Sequence, residues 1–244
     1  MSAKITPLNK DSHKDIKIKI SQSFDQAKNQ HMSLIVVHEF AKVAIDSPIV
    51  FVKDPETGQF RAVTMLGLEP NENLFYSRSK WKGTYIPSNL RAYPFILAGS
   101  EDSEQLALCI DEASKLVNKK DGEALFNEDG SESDFLNQRK EFMSQLIEQN
   151  AITKNFIQFL ADNELLAPQS LSLKLEDGSG HDLNGLYVIN EKKLNELSDE
   201  VYLEIRKRGY MGPIYAQLGS MNQLQNLGEK KVAAKKAANK KKAS

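Results

Sequence analysis

The block Ile45 to Leu97 constrains this chain most, because it gathers turn-forming residues, β-branched runs and the only tryptophan, Trp81, into one stretch. Ile49 to Lys53 and Gln59 to Leu66 are two such runs, separated by Asp54-Pro55-Glu56-Thr57-Gly58. Proline presets φ at the second turn position and glycine supplies a left-handed residue, so the segment predicts a hairpin. A hairpin here commits the first half of the chain to antiparallel pairing.

Other segments extend that pattern. Ile16, Ile18 and Ile20 alternate with lysines, the period of a half-buried strand, with Lys17 and Lys19 placed to guard an edge. Ser33 to Phe40 reads either as a strand or as the start of a short helix through Ala44; Ser47-Pro48 breaks it. Leu74 to Ser77, Ala92 to Leu97 and Leu106 to Asp111 are further strand candidates, with Tyr85 to Asn89 a loop shaped by Pro87. A helix follows Ser131 or Ser133, with Phe135, Leu136, Phe142, Met143, Leu146 and Ile147 on its apolar face, and Thr153 is placed to cap a second helix, Lys154 to Asp162. Strands Leu171 to Leu175 and Gly185 to Ile189 flank the turn Glu176 to Gly180. Asn190 and Ser198 are placed as caps, Gly209 as a stop, and Pro213 as the opening of a last helix. The expected architecture is α+β: a β-rich antiparallel N-terminal half with the helices of the C-terminal half packed on it. Residues 1–228 are expected to form a single domain and 229–244 a separate tail.

The tail follows from charge. Residues 229–244 hold seven lysines and one glutamate, so they carry +6 while the rest of the chain carries −7. Almost no apolar surface is available there to offset ordering entropy, which predicts a solvated, disordered tail. Alanine and lysine also favour helix. A helix induced on nucleic acid or an anionic membrane is therefore one alternative, and folding back on the acidic body is another. No run approaches the ~18 apolar residues that would cross a bilayer. The N-terminus lacks the apolar run of a secretory signal, so a cytoplasmic location is expected. Cys109, the one cysteine, lies in an apolar run and is expected to be a buried thiol.

Catalytic signatures are sparse. There is no HExxH, GxSxG, P-loop or paired-cysteine motif. A metal site built on His38 and Glu39 has poor spacing, because adjacent strand residues point to opposite faces, so neither metal nor cofactor is expected. Asp129-Gly130 and Asp177-Gly178 read as turns rather than calcium loops. The remaining chemistry lies in Trp81, Tyr85, Arg91 and Tyr93, near Phe95. Aromatic and arginine anchors carry much interface energy, and a guanidinium suits a carboxylate, a phosphate or a peptide terminus. The competing reading places Trp81, Tyr93 and Phe95 in the core. Two functions follow: a non-catalytic protein binding a protein or peptide partner, or an enzyme or enzyme subunit whose site gathers dispersed residues such as His38, Glu39, Arg91 and Tyr93.

Several segments together carry a likeness. They include His38-Glu39-Phe40, SPIVFVKD from Ser47, MLGL from Met65, YIPSNLRAYPF from Tyr85, LCID from Leu108, ALFNEDG from Ala124, LNGLYVINEKKLNEL from Leu183 and IYAQLGSMNQL from Ile214. In this order they resemble the SapC family, bacterial proteins of about this length. The likeness runs from Leu8 to Leu227, is most specific from Trp81 to Phe95, and leaves the lysine-rich tail outside. The family takes its name from a gene cluster for surface-layer protein production and export. The resemblance brings no catalytic residue set with it. Joined to an N-terminus without an export signal, it implies a cytoplasmic accessory protein rather than a surface component.

Overall fold

The computed structural model describes residues 3–99 and 107–242. The fold is α+β, with antiparallel sheets mostly in the N-terminal half and helices in the C-terminal half. The chain divides into two compact units, Met1–Ser23 with Ser88–Glu148 and Phe24–Pro87 with Gln149–Ser244.

The larger unit is built on a five-stranded antiparallel sheet, ordered Leu166–Lys174, Gly180–Ile189, Ile49–Lys53, Phe60–Met65 and Met32–Leu34. Its centre is the hairpin read from the sequence, with Ile49 opposite Thr64 and Lys53 opposite Phe60. The Asp54 carboxylate accepts from the amides of Glu56 and Thr57 at 2.9 and 3.0 Å, and Gly58 takes the positive φ of +70° that closes the turn. Strand residues Ile49, Phe51 and Ala62 are buried with Phe40, Phe156, Leu160, Ile205 and Ile214, which places four helices on the sheet. Burying each large side chain contributes about 1.5–3 kcal/mol.

Strands Gly180–Ile189 and Ile49–Lys53 pair directly only at Leu186–Val52 and Tyr187–Phe51. Beyond that, the helix Met211–Ser220 supplies the missing partners. Gln217 is fully buried, donates to the Ile49 carbonyl at 3.0 Å and accepts from the Ile189 amide at 3.1 Å. The Ser220 hydroxyl accepts from the Ile49 amide at 2.9 Å. These side chains satisfy backbone groups that would otherwise be buried without partners.

Two helical expectations are corrected in this region. Thr153 caps nothing: Asp134–Asp162 is one continuous helix of 29 residues. The Thr153 hydroxyl donates back to the Gln149 carbonyl at 2.6 Å and accepts from the Val37 amide at 2.8 Å, so it serves the helix interior and ties down a neighbouring segment. The expected disordered tail is instead helical, within Gln223–Lys242. It docks because Leu227 and Val232 are buried, and because Lys231 reaches Glu69 at 2.7 Å and Glu72 at 2.5 Å. Lys235 meets Asp177 at 3.0 Å. Gly228 allows close approach, since a Cβ there would stand 2.8 Å from Leu175. Folding back on the acidic body, the alternative drawn from charge, is the arrangement observed. Residues 243 and 244 lie outside the described residues.

The smaller unit holds a three-stranded antiparallel sheet ordered Ile5–Pro7, Ala107–Asp111 and Phe95–Ala98, with Cys109 buried as expected. Leu106, the first residue of the predicted strand, lies outside the described residues. Lys17–Ile18 is not an edge but the centre of a second sheet, between Val117–Asn118 and Glu123–Ala124. Its lysine alternation reflects solvent on one face rather than an unpaired flank. Gly122 at φ +110° makes this possible, because a Cβ there would meet the Ile18 carbonyl oxygen at 2.2 Å. Part of the expected Tyr85 to Asn89 loop is helix, Ser88–Ala92. The long helix contributes its portion through Glu148, and the Ser133 hydroxyl accepts from the Leu136 amide at 3.2 Å as its cap.

Candidate functional site

The four residues singled out from the sequence belong to different units: Trp81 and Tyr85 to the larger, Arg91 and Tyr93 to the smaller. In the larger unit the two aromatic side chains are committed internally. Trp81 ends the short hairpin Tyr76–Ser77 and Lys80–Trp81. Its indole stacks on Phe75 with ring centres 5.8 Å apart and 21° between planes, and Phe24 meets it edge-on at 6.2 Å. The indole N–H donates to the Tyr85 carbonyl at 3.0 Å. Gly83 is pressed against it, since a Cβ at that position would stand 2.8 Å from Nε1.

The Tyr85 hydroxyl donates to Glu39 Oε1 at 2.7 Å, and Glu39 Oε2 accepts from the Val36 amide at 3.0 Å. Glu39 is buried and His38 exposed, so these neighbours face different surroundings, but they do so in a short 3-10 helix, Val37–Glu39, and not on the strand from which the spacing was argued. Among the described residues no group of three histidine, cysteine or acidic side chains is close enough to hold a metal ion. Trp81 and Tyr85 line a small cavity with Val43, Asp46, Thr64 and Phe75, whose open volume is ≈ 10 Å³. That is room for about one water, against the ~300 Å³ or more of a small-molecule site. Its hydroxyls are already paired, Ser47 Oγ with Thr64 Oγ1 at 2.6 Å, and Asp46 accepts from the Thr84 amide.

In the smaller unit Tyr93 is likewise occupied, donating to the buried Asp111 carboxylate at 2.9 Å. Burial first, then Asp111, holds the phenol above its ordinary value against a hydrogen bond with Ser114 that lowers it. Tyr93 therefore stays protonated, as a donor. Asp111 also accepts from the amides of Lys4 and Ala113, at 2.9 and 3.1 Å, which makes this a packed polar node at the end of a strand.

Arg91 differs from the other three. Its side chain leaves the helix Ser88–Ala92 toward solvent, donates to Ser88 Oγ at 2.7 Å and lies 5.4 Å from the ring centre of Phe142. A second guanidinium, Arg139, lies 5.2 Å from the ring centre of Phe135. Burial, and after it the like charge of Arg91, pull Arg139 below its ordinary value. It nonetheless remains cationic at neutral pH. Arg139 went unrecognised in the sequence because it sits within a stripe read as the apolar face of its helix. A cation between Phe135 and Phe142 at helical spacing was the available signal.

The two Asp-Gly segments are turns. Asp129 Oδ1 accepts from the Ser131 amide at 2.8 Å and Asp177 Oδ1 from the Ser179 amide at 3.0 Å, and each following glycine has φ +81°. No described helix is long and apolar enough to cross a membrane. The tail lysines Lys231 and Lys235 are paired with carboxylates of their own unit.

Comparison with known proteins adds one finding. The family model described as SapC matches residues 8–227. No curated protein and no solved structure matches the chain.

Proposed function

The chain belongs to the SapC family, and from that premise we propose that it is a non-catalytic binding protein that recognises a protein or peptide partner, as a cytoplasmic accessory in surface-layer or envelope protein production. The observation that carries this reading is the Arg91 guanidinium, exposed, oriented by Ser88 and backed by the Phe142 ring. An arginine set against an aromatic face offers a partner a planar donor array and apolar contact together. Trp81, Tyr85 and Tyr93 contribute by holding their own units in shape. The small cavity beside Trp81 suits a water better than a substrate.

The test is affinity capture from the native host at moderate salt, with full-length wild-type protein and Arg91→Ala side by side. The reading expects one protein to be recovered by the wild type and lost with the variant. Equal recovery by both, or recovery of nucleic acid alone, would overturn it.

A further inference from the structure

The terminal helix Gln223–Lys242 is held to its unit largely by lysines, and three of them have a seat built for each. Lys231 is buried, with Glu69 at 2.7 Å and Glu72 at 2.5 Å. Lys230 lies 4.9 Å from the ring centre of Phe75. Lys235 donates to Asp177 at 3.0 Å and to Ser179 Oγ at 2.9 Å. Apolar attachment is thin by comparison. From Glu229 onward Val232 is the only buried apolar side chain among the described residues, while Gly228 lets the helix settle onto Leu173 and Leu175.

The seats belong to the family domain and the lysines do not. Glu69, Glu72, Phe75, Asp177 and Ser179 all lie within residues 8–227, the span the family model matches, and Lys230, Lys231 and Lys235 lie beyond it. The fit is also incomplete on the side of the domain. His181 stands opposite Leu173 in the sheet, so its side chain lies on the face the helix covers, 3.4 Å from Glu69. Its Nε2 is buried and finds no hydrogen-bond partner among the described residues. A buried polar atom without a partner disfavours the state that buries it, and lifting the helix returns this one to water. Ion pairs at a surface are individually weak and screened by salt, so a helix held mainly by them can leave while the sheet below stays folded.

We propose that Glu69, Glu72 and Asp177, with Phe75 and Leu173, form a docking site for a helical partner segment carrying lysines at positions i, i+1 and i+5. The terminal helix is the occupant of that site in cis, an autoinhibitory strap whose own lysines show the chemistry a partner must supply. This goes beyond the Arg91 reading and does not depend on it, since Arg91 belongs to the other unit. Failure of either leaves the other standing.

The experiment uses the full chain and a fluorescein-labelled peptide of residues 223–239, followed by anisotropy at low salt. Lys231→Gln together with Lys235→Gln frees the site in cis. This double variant should bind the peptide, and the wild type should bind it at least ~10-fold more weakly, because its own helix competes at high effective concentration. The peptide carrying Lys231→Gln and Lys235→Gln should not bind, and Glu69→Gln in the double variant should weaken binding about 3-fold. Hydrogen exchange of the wild type gives a readout that needs no variant. At about 0.5 M salt the 223–239 amides should exchange faster than at low salt, while those of Ile49–Lys53 keep their protection. The proposal is overturned if the double variant binds no better than the wild type, if the glutamine peptide binds equally, or if Glu69→Gln changes nothing. Loss of protection in helix and sheet together would also overturn it, by showing that the helix is an integral part of the fold. Dimerisation of the wild type that the double variant loses, read by sedimentation, would give the site to the helix of a second copy and overturn its assignment to a partner.

Discussion

Trp81 and Tyr85 show how residues that look like interface anchors in a sequence become structural ones once their polar atoms find partners at home. The indole N–H is taken by the Tyr85 carbonyl and the phenol by Glu39, leaving little for an incoming ligand. Sequence alone marks both as aromatic and near turns, but it carries no record of which carbonyl or carboxylate will face them. Arg91 was legible as the telling residue, because a guanidinium's requirements travel with it into any fold. Arg139 was not, because helical periodicity groups it with its apolar neighbours and only tertiary packing shows its Nε buried, with no acceptor among the described residues. If Tyr85 is internal, Tyr85→Phe should cost about 1–3 kcal/mol by urea unfolding, because it leaves the buried Glu39 Oε1 without this donor. It should leave partner affinity unchanged. Gly83→Ala should cost about 1–3 kcal/mol, because its methyl group would overlap both Trp81 Nε1 at 2.8 Å and Phe75 Cδ1 at 2.9 Å. A weaker partner complex with either variant, at retained stability, would return Trp81 and Tyr85 to the interface.

Among the elements, the Ile49–Lys53 and Phe60–Met65 hairpin and the caps Asn190 and Ser198 lie where the sequence places them, since each rests on chemistry within a few residues. The unbroken helix through Thr153 and the central position of Lys17–Ile18 were hidden for the opposite reason: both depend on partners distant in sequence, Val37 in one case and strands near 117 and 124 in the other. The terminal helix belongs to this second kind. Its lysines read as a solvated run, yet Lys231 is buried between Glu69 and Glu72. Lys231→Met should therefore destabilise the larger unit by about 1–3 kcal/mol, less than a fully buried pair would lose because Glu69 is half-exposed. The docking should also depend on pH. The Lys231 hydrogen bond holds the Glu69 carboxyl below its ordinary value of 4.5, so its contribution is complete above that value and fades as pH falls through the lowered one. Burial pulls the Lys231 ammonium down, but its bonds to Glu69 and Glu72 outweigh this and raise it above 10.5, so that contribution fades only as pH rises through the raised value. Hydrogen exchange of the 223–242 amides should thus be slowest between about pH 4.5 and 10.5, after correction for intrinsic rates, and should accelerate on either side. A flat corrected profile would show that Leu227 and Val232 alone hold the helix.

At the scale of the whole molecule, the α+β class was readable because strand and helix periods separate along the chain, whereas division into two units was not. The smaller unit joins residues 1–23 to 88–148, and no local pattern announces that the chain leaves one body and returns to it. The four residues that looked like one site belong to different units, and of these Arg91 is the exposed one. The proposed function has the protein bind its partner through the Arg91 guanidinium. The most direct test is calorimetric titration of the captured partner into wild-type and Arg91→Ala proteins, with thermal unfolding measured on both. Loss of the contact with Phe142 should lower stability by only about 0.5–1 kcal/mol, while affinity should fall at least ~10-fold. Equal affinity for the two proteins, with any change confined to their stability, would contradict the account.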